Sequence, residues 1–408
     1  MKTNTVRIGV IGAGFVANFH RVALGSARGI ELSAVYALKG AADLAAAATG
    51  GGLGETKVCG SIKELVEMVD VVAIFNPNFA RLETMQAIVD AAKNHPLLGL
   101  VCEKPLGRTI AEAKNMVGLA EEAGLKTAYF ENQIHMPAVT KCRAQLAQVA
   151  SKMGPVHLTR SAEEHGGPHM PWFWDPTQQG GGVWCDMGCH SAAVGMQMLT
   201  PENKPPNFLE PVSVTATLAL LKWGRNPWLT KLQAMGVDYT QTPAEDYALV
   251  TLKFRNPETD QIVIAQATDS WMYDAPGLRL LMEAMGPGYS YNVNTLMSPA
   301  GLFISDAAAE AVKNAELALE KSQANRGSLV IQPNEPDLYG YVDEWRDAMA
   351  AFKDGKDGLL NFAYGEQIAR LVAAGYLSSE LGKTVTMDEV RDDYVSLIHQ
   401  GKGLEVLG

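Results

Sequence analysis

Apolar positions in the first third of the chain come in short continuous runs: VRIGVIGAG, IELSAVYAL, VDVVAIFNP, LLGLVCEKP and LKTAYFEN. Between them lie Ala-rich or amphipathic stretches, including AADLAAAAT, SIKELVEMV, LETMQAIVDAAKNH and TIAEAKNMVGLAEEAG. Uninterrupted apolar runs suit strands buried on both faces, and helical stretches between them supply the crossovers that parallel neighbours require. The pattern predicts an α/β doubly wound parallel sheet over residues 1–130, with ligands taken at the carboxyl ends of the strands.

From about residue 131 the pattern changes. PVHLTRSAEE, EPVSVTATLALLKW, DYALVTLKFRN, QIVIAQATDSWMY and LRLLMEAMG follow one another with hairpin-like breaks such as RNPETDQ. Strands without intervening helices predict an α+β second domain, residues 131–408, built on a large, mostly antiparallel sheet. Helical patterns return at GCHSAAVGMQML, AAAEAVKNAELALEKSQA, LYGYVDEWRDAMAAFKDG and AYGEQIARLVAAGYLSSELG. The stretch 223–243, WGRNPWLTKLQAMGVDYTQTP, reads as an inserted loop. If helices cover one face of the sheet, its other, apolar face is left for a partner subunit, so a homodimer or homotetramer is expected.

Composition narrows the classes. A length of 408 residues exceeds a single core, and 47% hydrophobic with 19% charged residues is ordinary globular composition. A net charge of -11 without a basic run argues against a nucleic-acid partner. No apolar run reaches the ~18 residues that span a bilayer. The chain enters its first strand pattern at once, without a secretory apolar segment, which reads as cytoplasmic. Cysteines 59, 102, 142, 185 and 189 form no CxxC pair and read as reduced thiols, with no metal site assigned.

Chemistry concentrates in a few motifs. In GAGFVA at 12–17, Gly12 suits a tight turn, Gly14 admits a pyrophosphate close to the backbone, and Ala17 lets helix pack on strand. The helix that opens with Phe15 and Val16 offers free N–H groups to phosphates, the context of a dinucleotide fingerprint. A plain strand-to-helix connection is the alternative. NAD binders end the second strand in an acid, but AVYALKG offers only Ala37, Leu38 and Lys39. Lys39 reads either as a partner for the 2'-phosphate of NADP or as a solvated lysine, so NAD and NADP both stay open.

Glu103-Lys104-Pro105 closes the fourth apolar run and places a lysine at the edge of the ligand crevice, an exposed loop lysine being the alternative. In GGGVWCDMGCH, Gly180, Gly181 and Gly182 imply a strained turn or close approach to a ligand. Asp186 and His190, four apart, share one face of a helix, where the carboxylate fixes the imidazole tautomer for acid/base work. A capping aspartate and a core histidine are the alternative.

In order and spacing, GxGxxA near the start, NPN at 76–78, EKP at 103–105 and GGGVWCDMGCH at 180–190 resemble the glucose-fructose oxidoreductase and inositol dehydrogenase (Gfo/Idh/MocA) family. The resemblance extends through AEDYALVTLKF and LSSELGKTVTM, over nearly the whole chain. It implies an N-terminal Rossmann domain and an NAD(P)-dependent enzyme that moves a hydride to or from a hydroxyl-bearing carbon of a sugar, polyol or sugar derivative. Under it, His190 takes the hydroxyl proton, Lys104 stabilises the alkoxide, and Asp186 orients the imidazole or binds a neighbouring hydroxyl. Asn76, Pro77, Asn78 and Glu103 join Gly12, Gly14, Phe15, Val16, Lys39 and Lys104 on the cofactor side.

The segment EEHGGPHMPWFW at 163–174 is rich in groups suited to sugars: Glu163, Glu164, His165, His169, Trp172 and Trp174. Loop packing and a metal at His165 and His169 are the competing readings. The resemblance adds Gln133 and His135 in ENQIHMP as substrate contacts. It also exposes departures: Arg81 stands where relatives often carry His, and insertions near 223–243 and 290–330 lengthen the chain. Two other functions fit the same motifs: an NAD-dependent glycoside hydrolase working by transient oxidation, elimination, hydration and re-reduction, and a non-catalytic NAD(P)-binding regulator.

Overall fold

A computed structural model describes residues 5–274, 277–295, 300–304, 327–331 and 334–407. The chain forms two compact units, one of Met1–Pro137 with Pro336–Ala369, the other of Ala138–Glu335 with Arg370–Gly408.

The first unit holds strands β1 (Val6–Ile11), β2 (Ile30–Tyr36), β3 (Lys57–Val58), β4 (Val71–Ile74), β5 (Gly99–Glu103) and β6 (Thr127–Phe130). They pair in the order β3-β2-β1-β4-β5-β6, all parallel. The order reverses between β1 and β4, which opens the crevice where doubly wound sheets bind ligands. The five apolar runs of the sequence account for every strand but β3, an exposed pair of residues at the sheet edge. Strands β4 and β5 are buried throughout, as continuous apolar runs require. Gly9 interrupts the apolar run of β1 because a Cβ there would come within 2.5 Å of Leu65, on the helix Ile62–Val66. That helix and Ile110–Glu122 begin alike: Ser61 accepts from the Glu64 N–H and Thr109 from the Glu112 N–H, caps worth about 1 kcal/mol each.

Later sequence returns to this unit. Tyr341–Lys353 is an amphipathic helix that buries Val342, Trp345, Met349 and Phe352. Beside β6, the Thr127 N–H donates to Asp357 Oδ1 at 2.7 Å and the Tyr129 N–H to the Leu360 carbonyl at 2.9 Å.

The second unit holds β7 (Leu158–Glu164), β8 (Glu210–Ala219), β9 (Tyr247–Arg255), β10 (Ile262–Ser270), β11 (Arg279–Gly286), β12 (Tyr289–Asn294) and β15 (Val385–Thr386), with β13 (Ala300–Ile304) and β14 (Gly327–Ile331) as a separate pair. The seven strands lie in the order β12-β11-β7-β10-β9-β8-β15, antiparallel except for the β7–β10 pair. Period-two alternation points Ala248, Val250, Leu252 and Phe254 of β9 into the core. The wholly buried helix Cys189–Leu199 packs on that face, and Gly195 permits the approach, since a Cβ there would come within 2.8 Å of Ala265. The opposite face is not the uniformly apolar surface expected. Thr215, Thr251, Gln266, Arg160 and Glu283 form one row across it, with Leu249 and Ile262 exposed nearby.

The stretch 223–243 is folded: it contains the helix Trp228–Ala234, buries Leu232, and bonds Trp223 Nε1 to the Trp271 carbonyl. The helical pattern AAAEAVKNAELALEKSQA and most of 290–330 lie outside the described residues.

Candidate active site

The glycine turn fits a dinucleotide. Gly12, at φ 117°, has no room for a Cβ, which would lie 2.7 Å from the Phe75 carbonyl at the end of β4. Here the requirement is chain packing. At Gly14, by contrast, a Cβ would meet nothing within 4 Å, so the space above the turn is open. Gly14 caps the helix Phe15–Leu24 without a side-chain bond, the setting in which a helix N-terminus receives an anion. Phe15 is exposed, Val16 half-buried, and Ala17 sits in the core as its size requires. After β2, Leu38 is 93% exposed, Lys39 is exposed, and no carboxylate ends the strand.

The turn after β5 is held from several sides. Glu103 is buried, and its Oε2 accepts the Lys104 N–H at 3.0 Å. Its Oε1 lies 2.8 Å from His20 Nε2. Because Trp345 Nε1–H donates to His20 Nδ1 at 3.0 Å, the ring proton sits on Nε2 and points at Glu103. Burial alone would raise the Glu103 carboxyl, but the His20 hydrogen bond and the charges of Lys104 and Arg81 outweigh it and hold it below the usual range. Lys104 itself is half-buried. Arg81, also buried, donates through Nη1 to the carbonyls of Glu103, at 2.7 Å, and Pro105, and through Nε to the Asn76 carbonyl at 3.3 Å. Asn76 Nδ2 donates to Thr84 Oγ1, Pro77 is half-buried and Asn78 is buried.

Among the described residues, His20, Glu103 and Glu344 form one group with metal-ligating atoms within 4.8 Å of one another. Both ring nitrogens of His20 are already engaged in hydrogen bonds, with Glu103 and Trp345, and Glu344 Oε1 lies 3.8 Å from Nδ1. Burial, and then the charges of Glu103, Glu131 and Asp347, push the Glu344 carboxyl well above its ordinary value.

Gln133 and His135 lie in the buried turn Asn132–His135 that follows β6. Asn132 Nδ2 anchors the turn on the Tyr339 carbonyl at 2.7 Å. Burial lowers the His135 imidazole from its usual value, against the pull of Asp347 and Asp343, so it is neutral at pH 7.

In the second unit, the three glycines serve a protein carboxylate. Gly180 and Gly181 take φ 107° and 155°, and side chains at Gly181 and Gly182 would overlap Tyr376 and Glu245. Glu245, buried, accepts the N–H groups of Gly182 at 3.1 Å and Trp184 at 3.0 Å and the Tyr376 hydroxyl at 2.7 Å. Burial pushes its carboxyl up to about 7, the largest effect, and the bonds from Tyr376, Trp184 and Gly182 oppose it. This anchor starts a π-helical turn, Trp184–Gly188, that carries Asp186 and runs into the helix Cys189–Leu199 that carries His190. The expected regular helix is therefore widened by one π-turn, a feature that recurs at functional sites. Asp186 and His190 are both buried.

The segment 163–174 divides. Glu163 is buried in β7. Glu164 pairs with Arg279 across the sheet and accepts from Ser270 Oγ. His165 is buried, and its Nδ1 accepts the Gly167 N–H at 3.0 Å. His169 and Trp172 are half-buried, Trp172 stacked on Phe173 at 3.8 Å. His165 and His169 lie outside any helix, so their spacing does not give them a common face. Trp174 is 1% exposed, donates Nε1–H to the Pro168 carbonyl, and packs among Trp223, Tyr239 and Trp271. The inserted loop supplies that packing, which a reading of 163–174 alone misses. Sequence reading likewise missed His20, Glu245 and Tyr376, whose only signal is burial of polar groups far apart in sequence.

Residues 6–130 match the model of the oxidoreductase family with an NAD-binding Rossmann fold, and 144–283 match the GFO/IDH/MocA C-terminal domain. Rhizopine catabolism protein MocA of Rhizobium meliloti is 29% identical over 53% of this chain and 63% of its own length. The 1,5-anhydro-D-fructose reductase of Ensifer adhaerens is 29% identical over 46% of this chain and 54% of its own. The matched part thus spans about half to two thirds of these relatives. Among solved structures, GenD2 from gentamicin A biosynthesis, in complex with NAD, superposes with a TM-score of 0.72 at 22% identity, covering 94% of this chain and 96% of that one. A myo-inositol dehydrogenase from Corynebacterium glutamicum gives 0.67 at 18% identity, covering 94% and 98%. A parallel six-stranded Rossmann sheet with the glycine turn, a second, mostly antiparallel sheet, and both family models together show that the chain belongs to the NAD-binding Gfo/Idh/MocA oxidoreductase family.

Proposed function

We propose that the protein is an NAD(P)-dependent dehydrogenase or reductase acting on a hydroxyl-bearing carbon of a sugar, polyol or sugar derivative. The observation that carries the reading is the turn bearing Lys104, clamped at the end of β5 in a sheet whose glycine turn leaves room for a dinucleotide. The bound nicotinamide supplies the hydride acceptor or donor. His190 takes the proton released by the substrate hydroxyl, a task an imidazole suits near neutral pH. Lys104 stabilises the charge that develops on the oxygen, and Asp186 orients His190. Gln133, His135, His165, His169 and Trp172 are proposed to hold the substrate, their hydrogen-bonding groups and indole face matching a polyhydroxylated ligand. That class agrees with the names of the anhydrofructose reductase and inositol dehydrogenase relatives.

The test is a screen of sugars and polyols with NAD+ and NADP+, following the reduced cofactor and the product together. Equal amounts of the two support net oxidation. Product without net reduced cofactor assigns the transient-oxidation hydrolase, and a protein that binds neither NAD+ nor NADP+ removes both readings.

A further inference from the structure

The buried guanidinium of Arg81 joins the ends of two adjacent strands. Arg81 opens the helix Arg81–Ala92, and its side chain turns back under the loops after β4 and β5. Its Nε reaches the Asn76 carbonyl, in the loop after β4, and its Nη1 reaches the Glu103 and Pro105 carbonyls, in the turn after β5. The two carbonyls on β5's side flank Lys104. Together with the Glu103 carboxylate on the Lys104 N–H, they fix the peptide unit that enters Lys104 and the one that leaves Pro105, so the turn is held before and after the lysine. A planar guanidinium spreads donors in a fixed fork and so can span two loops, which an ammonium at one point does less well.

We propose that Arg81 is a positioning residue that fixes the backbone of Lys104 and ties it to the loop 76–78, so that the lysine amine is held where the developing alkoxide needs it. The inference rests on the proposed role of Lys104, and it assigns Arg81 no contact with substrate. Displacements of about 1 Å at a catalytic group cost on the order of 100-fold in rate.

The experiment compares Arg81→Met, Arg81→Lys and Lys104→Ala with the wild type, using kcat, KM and amide exchange of the peptides covering 76–81 and 101–108. Arg81→Met is expected to lower kcat about 10- to 100-fold with KM changed less than about threefold, and to speed exchange in those two peptides while the rest of the chain stays protected. Arg81→Lys is expected to fall between, because one ammonium retains part of the carbonyl contacts. Wild-type kcat with unchanged exchange in Arg81→Met overturns the proposal, as does uniform loss of protection across the unit, which marks a purely structural role. If Arg81→Met does not fold, Arg81→Lys is read by the same two criteria. Full turnover in Lys104→Ala instead removes the proposed role of Lys104, and exchange at 101–108 still decides whether Arg81 holds the turn.

Discussion

At the scale of single residues, buried carboxylates decide what the loops do. Glu103 and Glu245 are both buried and both bind backbone N–H groups, yet their carboxyls move in opposite directions. Glu103 faces His20, Lys104 and Arg81 and is held below the usual range, while Glu245 receives only neutral donors and rises to about 7. The sign of the linkage follows. The raised Glu245 value contributes stability that is fully present below the unfolded carboxyl value and is lost as pH rises through about 7. Wild type is therefore expected to lose stability relative to Glu245→Gln between about pH 5 and 8, by on the order of 3 kcal/mol. Thermal unfolding of both proteins across that range checks it, and a constant difference refutes it. Lys39 offers a second test. With no carboxylate at the end of β2 to repel a 2'-phosphate, Lys39→Glu is expected to weaken NADP+ binding about tenfold or more, leaving NAD+ within about threefold. Equal, unchanged affinities by fluorescence titration leave Lys39 as a solvated lysine.

At the scale of elements, the triglycine turn and the π-turn after it act as one piece. Gly182 has no space for a side chain against Glu245, so Gly182→Ala forces the anchor apart. The expected loss is about 3 kcal/mol, the upper end of overpacking costs, measured as a drop in unfolding midpoint. A variant as stable as wild type shows that the turn adapts. Continuous apolar runs made the five long strands of the first sheet legible, and the motifs at 12–17, 103–105 and 180–190 stood out because glycine, lysine and histidine are conspicuous at strand ends. Other features left no local trace. β3 is two residues long, too short for any period to register. The glycines at 180–182 announced a close approach but not its partner, which sits some sixty residues away on the approach to β9. The packing of Trp174 on Trp223 and Tyr239 of the stretch 223–243 is equally invisible within 163–174. A π-turn has the same residue types as an α-helix, so spacing alone did not reveal it.

At the scale of the whole molecule, the chain assembles each unit from distant sequence, the helix Tyr341–Lys353 belonging with the Rossmann strands. No such long-range return is readable from periodicity. The row of Thr215, Thr251, Gln266, Arg160 and Glu283 is exposed or half-buried and mainly polar, with Leu249 and Ile262 exposed beside it. A homodimer or homotetramer is expected, and light scattering of a monomer at working concentration contradicts it. The central claim concerns hydride transfer, and isotope transfer tests it most directly. A turned-over polyol or sugar carrying deuterium on its hydroxyl-bearing carbons is predicted to deliver one deuterium to the nicotinamide, with deuterated reduced cofactor accumulating alongside oxidised product. Product formation with no deuterium on the cofactor would contradict the account.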